Sequence, residues 1–203
     1  DVYKRQNLFG ALAALAEGCR PGVHLYFDGQ LLHGARASKL KSEAFDAFVN
    51  MARPRHGQCL EQLPEALHYR RQRRAVALAV VPLFPGLGAV QLRAVLASGV
   101  QGVLLECYGS GTGPADDADF LAALREARQR GVVLGAISQC PLGHVDFAVY
   151  AAGSALAEAG LVSGGGMTRE AALGKLFGLL GAGLPAAEVE RLFALDLCGE
   201  LAE

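Results

Sequence analysis

The chain has 203 residues, of which 52% are apolar and 19% are charged, so it can bury a sizeable core and does not belong to the disordered class. Lysine and arginine number 19 against 20 acidic residues, and the net charge of −1 offers no basic stripe for nucleic acid. The longest apolar stretch, residues 75–90, is broken by prolines and glycines and is too short for a membrane span.

The cysteines and the first residues indicate the cellular compartment in which the protein is expected. Five cysteines, odd in number and widely spaced, predict reduced thiols and a cytoplasmic location rather than a disulfide framework. The polar opening DVYKRQ is not typical of a signal peptide. Because it shares no pattern with the following residues, we interpret residues 1–6 as a foreign or scrambled start, the alternative being an ordinary frayed terminus.

A helix and a hairpin are predicted first. Leucines recur at spacings of four and three over residues 7–16, which predicts a helix. Asp28 and Gly29 favour a type I′ turn, in which both central residues need a positive φ. This turn would join strands at residues 23–27 and 30–33.

Polar residues and helix breakers dominate the next stretch. Residues 34–40 predict a polar connector, and Ser42 introduces a short predicted helix. A linker is predicted over residues 49–74, which carry the basic run RRQRR and three breakers, Pro54, Gly57 and Pro64. A charged run of this kind is typical of a solvated hinge, so we place a domain boundary near residue 74.

From residue 75 onward, apolar and helical segments alternate. The predicted strands are residues 75–84, 100–107 and 132–138. The predicted helices between and after them are residues 90–97, 119–130 and 150–159. Two further helices are predicted, one capped by Thr168 and one opened by Pro185. Continuous apolar strands separated by helices predict a parallel sheet with right-handed crossovers. Asp119 is expected to cap a helix that ends at a left-handed Gly131.

A glycine-rich loop, residues 109–113, follows the second of these strands. Its spacing does not fit the dinucleotide fingerprint, and it lacks the Gly-Lys-Ser/Thr of a P-loop. Two interpretations remain open, a tight strand-to-helix turn and a substrate loop at the carboxyl edge of the sheet.

Few groups indicate catalysis on their own. Zinc needs three or four protein ligands, and Cys140 and His144 supply only two, so no metal site is predicted. Cys140 is interpreted as a small apolar residue at a strand end. Lys39 is either a surface lysine or a group that helps to deprotonate a hydroxyl nucleophile.

Taken together, several segments resemble the type I, cytosolic-type branch of the L-asparaginase family. The matching stretches run in register from residue 7 to the end of the chain: NLFGAL, VHLYFDGQLLHGARASK, FDAF, PLFPG, ECYGSGTGP, RGVVLGAISQC and YAAGSALAEAGLVSGGGMTREAALGKLFGLL. The resemblance implies two three-layer αβα domains. The first, residues 7–74, would be incomplete, and the second, residues 75–203, would be a parallel-sheet flavodoxin-like domain.

The resemblance also implies a chemistry. Family members hydrolyse asparagine, and some glutamine, through a threonine acyl-enzyme, with a second threonine, an aspartate and a lysine assisting. The lysine matches Lys39, whereas neither threonine motif is present and both would precede residue 7. We therefore expect the chain to be inactive alone. The resemblance implies no cofactor, L-asparagine as substrate, no nucleic acid or membrane partner, and a homodimer or homotetramer when full length.

Two ligand sites are implied more weakly. Thr112 stands where the family usually has a substrate-contacting asparagine, and it offers a hydroxyl instead of an amide. Ser38 and Cys140 match two residues of an effector site found in some bacterial type I enzymes. The arginine of that site is Glu106 here, so we expect a carboxylate effector to lose its partner.

Two other functions stay open at this point. One is the glutaminase-type subunit of glutamyl-tRNA amidotransferase, which the charge balance does not favour. The other is a non-catalytic α/β module that binds a small molecule. An upstream sequence with both threonine motifs would favour the enzyme over the binding module.

Overall fold

The structure, a computed structural model, describes residues 2–51 and 59–201. The chain divides into two compact units, residues 1–52 and 53–203. The linker residues Pro54 and Gly57 lie outside the described residues. The predicted family-domain boundary at residue 74 stays a prediction.

Over its described residues, 2–51, the first unit contains one helix and two antiparallel strand pairs. The β1–β2 pair and the β3–β4 pair form separate two-stranded sheets. In chain order the elements are α1 (Val2–Ala16), β1 (His24–Phe27), β2 (Gln30–His33), β3 (Ala37–Lys39) and β4 (Phe48–Asn50). Asp28 and Gly29 have φ values of 48° and 74°, so the predicted turn between β1 and β2 is confirmed.

The other local predictions in this unit need correction. Helix α1 begins at Val2, five residues before the predicted start, because residues 3–6 contain no helix breaker. The predicted connector, residues 34–40, contains β3. The helix predicted after Ser42 is wrong, because Phe48 instead pairs with Lys39 across two strands. Pairing between strands has overridden the local pattern here.

The second unit is a four-stranded sheet with helices on both faces. All its strands are parallel in the order β5-β6-β7-β8, which confirms the predicted parallel sheet. Its elements are β5 (Leu78–Pro82), α2 (Ala89–Leu96), β6 (Gly102–Cys107), α3 (Ala118–Gln129), β7 (Val133–Ser138), α4 (Ala151–Glu158), β8 (Val162–Ser163), α5 (Arg169–Gly181) and α6 (Ala186–Phe193). Every residue of β6 and β7 is buried, as expected for central parallel strands.

Two apolar clusters fill the space on either side of this sheet. On one face, Leu92 and Phe120 of α2 and α3 are fully buried. On the other face, Leu176 of α5 and Phe193 of α6 are fully buried. The second unit is therefore a three-layer αβα structure, in agreement with the fold class implied by the resemblance.

Helix ends follow ordinary capping chemistry. Thr168 Oγ1 accepts a hydrogen bond from Ala171 N at 3.1 Å, so the predicted cap of α5 is confirmed. Helix α3 is capped by Asp117, whose carboxylate accepts from Phe120 N at 3.0 Å, and not by Asp119. The prediction missed by two residues because either aspartate suits a first turn, and only the backbone geometry selects between them.

The described residues contain no helix that is both long enough and apolar enough to cross a membrane.

Candidate functional site

The carboxyl ends of the strands form one edge of the second unit. In a parallel sheet, the loops that bind ligands leave from this edge. Gln139, the first residue after β7, donates from Nε2 to Leu83 O and to Glu106 O, both at 2.6 Å. One side-chain amide thus joins the ends of β5, β6 and β7 and holds their loops in register.

The glycine-rich loop after β6 closes on itself. Tyr108 N donates to Thr112 O at 2.9 Å, and Thr112 N returns a hydrogen bond to Tyr108 O at 3.0 Å. The Thr112 hydroxyl also points to Tyr108 O, at 3.4 Å. Its hydroxyl therefore has a partner within the loop. The location at the carboxyl edge agrees with the substrate-loop interpretation, whereas ligand contact by Thr112 stays a prediction.

Neighbouring segments fix this loop in place. Ser138 Oγ donates to Gly109 O at 2.6 Å, and Asp146 N donates to Ser110 O at 2.8 Å. A Cβ at Gly111, where φ is 115°, would lie 2.8 Å from Val145 Cγ1, so only glycine fits. The loop is thus positioned by β7 on one side and by residues 145–146 on the other.

Glu106, near the end of β6, places a buried carboxylate at this edge of the sheet. Its side chain is 5% exposed and makes a bidentate ion pair with Arg169, in which Nη2 lies 2.7 Å from Oε2. This hydrogen bonding raises the pKa of Arg169. Arg169 was not singled out by the sequence, because 63 residues separate it from Glu106. A carboxylate on a buried strand is the only signal that could have indicated a cationic partner.

Cys140 lies at the same edge as Thr112. It follows β7, and its N–H donates to Ser138 Oγ at 3.0 Å. Because the same hydroxyl holds Gly109, Ser138 connects Cys140 to the glycine-rich loop. The side chain of Cys140 is exposed, and its interpretation as a small apolar residue at a strand end stays a prediction.

Lys39 and Ser38 are neighbours on β3 in the first unit. Lys39 pairs with Phe48 of β4, and its Nζ lies 5.8 Å from the centroid of the Phe48 ring. Ser38 pairs with Val49. Successive residues of a strand face opposite sides, so Lys39 and Ser38 are not directed to one point within this unit.

Three hydroxyls at the carboxyl edge, those of Thr112, Ser138 and Ser163, are engaged with the main chain. Ser163 Oγ donates to Val145 O at 2.8 Å, just as Ser138 and Thr112 donate to carbonyls of the loop. Within residues 2–51 and 59–201, no group of three or more His, Cys, Asp or Glu side chains could hold a metal ion. This edge therefore supplies ordered main-chain groups and one ion pair, which suit binding and positioning.

The three-layer fold defines an open α/β protein, a class in which ligands commonly bind at the carboxyl edge of the sheet. Family models match both parts of the chain, "Asparaginase, N-terminal" over residues 4–73 and "Glutaminase/Asparaginase C-terminal domain" over residues 77–193. The chain belongs to the glutaminase/asparaginase family.

Individual relatives agree with this assignment. L-asparaginase 1 of Escherichia coli is 34% identical over 211 residues, which cover 96% of this chain and 60% of that protein. A glutamyl-tRNA(Gln) amidotransferase subunit of Metallosphaera sedula is 36% identical over 121 residues, or 60% of this chain and 27% of that protein. The crystal structure of L-asparaginase I from Vibrio cholerae superposes with a TM-score of 0.84 at 30% identity, covering 98% of this chain and 63% of that one. The chain thus spans roughly three fifths of the length of the asparaginases it matches.

Proposed function

We propose that this chain is part of an amidohydrolase that converts L-asparagine and water to L-aspartate and ammonia through a threonine acyl-enzyme. The observation that carries the proposal is that both asparaginase family models match, in order, along the chain. In such a mechanism a hydroxyl attacks the amide carbon, ammonia leaves, and water then hydrolyses the ester.

The attacking threonine is proposed to lie outside these residues. The sequence holds two threonines, Thr112 and Thr168. Thr168 is 2% exposed and caps α5, and the Thr112 hydroxyl is bonded within its own loop. A nucleophile needs a free hydroxyl beside a base. These structural roles support the proposal that the chain alone does not turn over asparagine.

Lys39 is the catalytic residue that we propose from this chain. Its side chain is exposed on a strand; near an attacking hydroxyl, the neutral amine of a lysine can accept a proton and the ammonium form can return one. The hydroxyl of Thr112 is the proposed substrate contact.

Ser38 and Cys140 remain the candidates for an effector site. The bidentate pair of Glu106 with Arg169 supports the proposal that a carboxylate effector is not bound there. A buried carboxylate at this position would repel the negative charge of such an effector.

The remaining parts of the proposal concern the whole protein. It works without a metal or organic cofactor, as a homodimer or homotetramer, on a small amide and without a nucleic-acid or membrane partner. A cytoplasmic location is supported by free cysteines at all five positions, 19, 59, 107, 140 and 198.

A second candidate is the glutamine-hydrolysing subunit of a glutamyl-tRNA amidotransferase. The match to the amidotransferase subunit of Metallosphaera sedula favours it, although that match covers a smaller share of this chain than the asparaginase matches. Hydrolysis of glutamine but not asparagine by the extended protein would select this candidate.

The proposal is tested with two proteins, the 203-residue chain and the same chain extended to the full open reading frame. Ammonia release from L-asparagine and from L-glutamine is measured for both, and circular dichroism verifies that each is folded. We expect turnover of asparagine by the extended protein and only background release by the chain alone.

Two results would count against the proposal. Turnover by the chain alone would place the nucleophile within these residues. A full open reading frame that lacks an upstream threonine motif, or a folded extended protein that hydrolyses neither amide, would remove the amidohydrolase assignment and favour the binding module.

A further inference from the structure

A cavity lies at the opposite, amino-terminal edge of the sheet, away from the strand ends described above. Its volume is about 300 Å³. It is lined by the residues that precede β6 and β7, by the ends of α3 and α5, and by the start of α6: Arg74, Val100, Gln101, Arg130, Gly131, Val132, Leu180, Gly183, Leu184 and Ala186. The proposed amide hydrolysis makes no use of this cavity.

Among the described residues, the cavity is lined by two guanidinium groups and by no carboxylate. Arg74 is held by its N–H, which donates to Gly181 O at 2.8 Å, and its guanidinium carbon would lie 3.3 Å from a Cβ placed on Gly183. Arg130 caps the end of α3 on the other side. The cavity therefore concentrates positive charge between two fixed backbone positions.

The neighbouring arginines are engaged elsewhere. Of the basic run, Arg71 is bound to Glu65, and Arg73 donates to the carbonyls of Ala66 and Leu67. Arg128 is bound to Glu190. Arg74 and Arg130, in contrast, make no ion pair with a carboxylate within the described part of the second unit.

Glu126, a carboxylate that interacts electrostatically with Arg130, is already paired with another arginine. The pKa of Glu126 is lowered mainly by hydrogen bonds from Arg93, which reach both of its oxygens, and Arg130 adds only a smaller electrostatic contribution. Glu126 does not line this cavity. The charge of Arg130 is thus not neutralised from within the cavity.

The start of α6 adds a further favourable dipole. Ala186 is the first residue of this helix, and Pro185 before it provides no side-chain cap. The first N–H groups of a helix have no partner inside the helix and carry a partial positive charge. This terminus adds to the positive charge of the two arginines, which are the main binding groups.

We propose that this cavity binds a small oxyanion of the phosphate class between Arg74 and Arg130. Guanidinium groups recognise phosphate oxygens by paired, charge-assisted hydrogen bonds. The volume of about 300 Å³ has room for a phosphate and a few attached heavy atoms. Both free phosphate and a phosphomonoester satisfy this chemistry.

The test is isothermal titration of the chain with inorganic phosphate and, separately, with glycerol 3-phosphate at constant ionic strength. We expect one saturable site, with affinity reduced by about tenfold or more in each of Arg74→Gln and Arg130→Gln. The matched control is Arg125→Gln, an exposed arginine of α3 that does not line the cavity and whose replacement should leave binding unchanged. Tighter binding of the ester than of free phosphate would identify a phosphomonoester as the ligand.

Amide chemical shifts locate the site independently. Phosphate is expected to shift the backbone amide signals of Gly131 and Gly183, which line the cavity. Three results would overturn the proposal: no saturable binding, binding equal in both variants and the unsubstituted chain, or shifts confined to amides elsewhere.

Discussion

Replacing Lys175 by methionine is expected to lower the free energy of unfolding by about 3–5 kcal/mol, because it leaves a buried carboxylate without its cation. The Lys175 and Glu200 side chains are 4% and 3% exposed, and Nζ lies 2.6 Å from Oε1. Lys175 also donates to Leu195 O. Methionine has a similar volume, so the loss isolates the charge and the hydrogen bonds from the packing.

Glu200 and its neighbours explain why this loss should be large. The Glu200 carboxylate accepts from Leu197 N at 3.0 Å and from Cys198 N at 2.8 Å. Asp196 accepts from Gly199 N at 2.9 Å. These bonds fold the segment after α6 around one ion pair, so removing the cation weakens all of them together.

Urea unfolding followed by circular dichroism measures the effect. The control is Glu188→Gln, which removes a solvent-screened pair with Arg191 and should leave the free energy of unfolding nearly unchanged. Combining Lys175→Met with Glu200→Gln should cost less than the sum of the two single changes, since neither charge is then stranded. Equal small effects for Lys175→Met and Glu188→Gln would contradict the role of this pair.

The same pair predicts how stability changes in acid. Although burial opposes the shift, the ammonium of Lys175 and the hydrogen bonds to the carboxylate lower the pKa of Glu200 to about 2. A carboxylate with a lowered folded-state pKa contributes stability that is complete above its unfolded value, near 4.3, and is lost as the pH falls toward 2. Glu200→Gln should therefore flatten the fall in stability between about pH 4.3 and pH 2. An unchanged acid profile in this variant would argue against the assignment.

In the full-length protein, Lys39→Met is expected to reduce turnover of asparagine by about 100-fold or more, the usual cost of losing an acid–base group. The change removes the ammonium and keeps the aliphatic stem, which lies near the Phe48 ring. Because Lys39 is exposed, the fold should be unaffected. Initial rates of ammonia release and circular dichroism measure the two quantities.

Lys41 provides the matched control for Lys39. It lies two residues further along the same unit and makes an exposed ion pair with Asp46. Lys41→Met should retain nearly full turnover. Comparable turnover in the two variants would make Lys39 an ordinary surface lysine.

The sequence was most informative where short-range physics decides the structure. Mostly apolar runs predicted the central strands β6 and β7, because a strand covered on both faces has no solvent-facing polar side. Thr168 and the Asp28-Gly29 pair predicted a cap and a turn that depend on neighbouring residues alone. Strand β3 was missed because it is defined by its partner and not by its own three residues.

The candidate site was much less accessible from the sequence. Lys39 and Thr112 became candidates through a family resemblance, since nothing in their spacing indicated a shared reaction. The sequence did not indicate that Arg169 pairs with Glu106 or that Glu200 pairs with Lys175. The members of each pair are distant in sequence, and only the fold brings them together. Buried charges of this kind require partners that periodicity cannot reveal.

The tie between three strand ends depends on the chemical identity of one amide, that of Gln139. Its nitrogen donates to Leu83 O and Glu106 O, so spontaneous deamidation would set a negatively charged oxygen against two carbonyl oxygens. The strand ends would then repel the side chain that had joined them. The loops at this edge would lose their shared anchor, whereas the apolar layers beneath them do not depend on it.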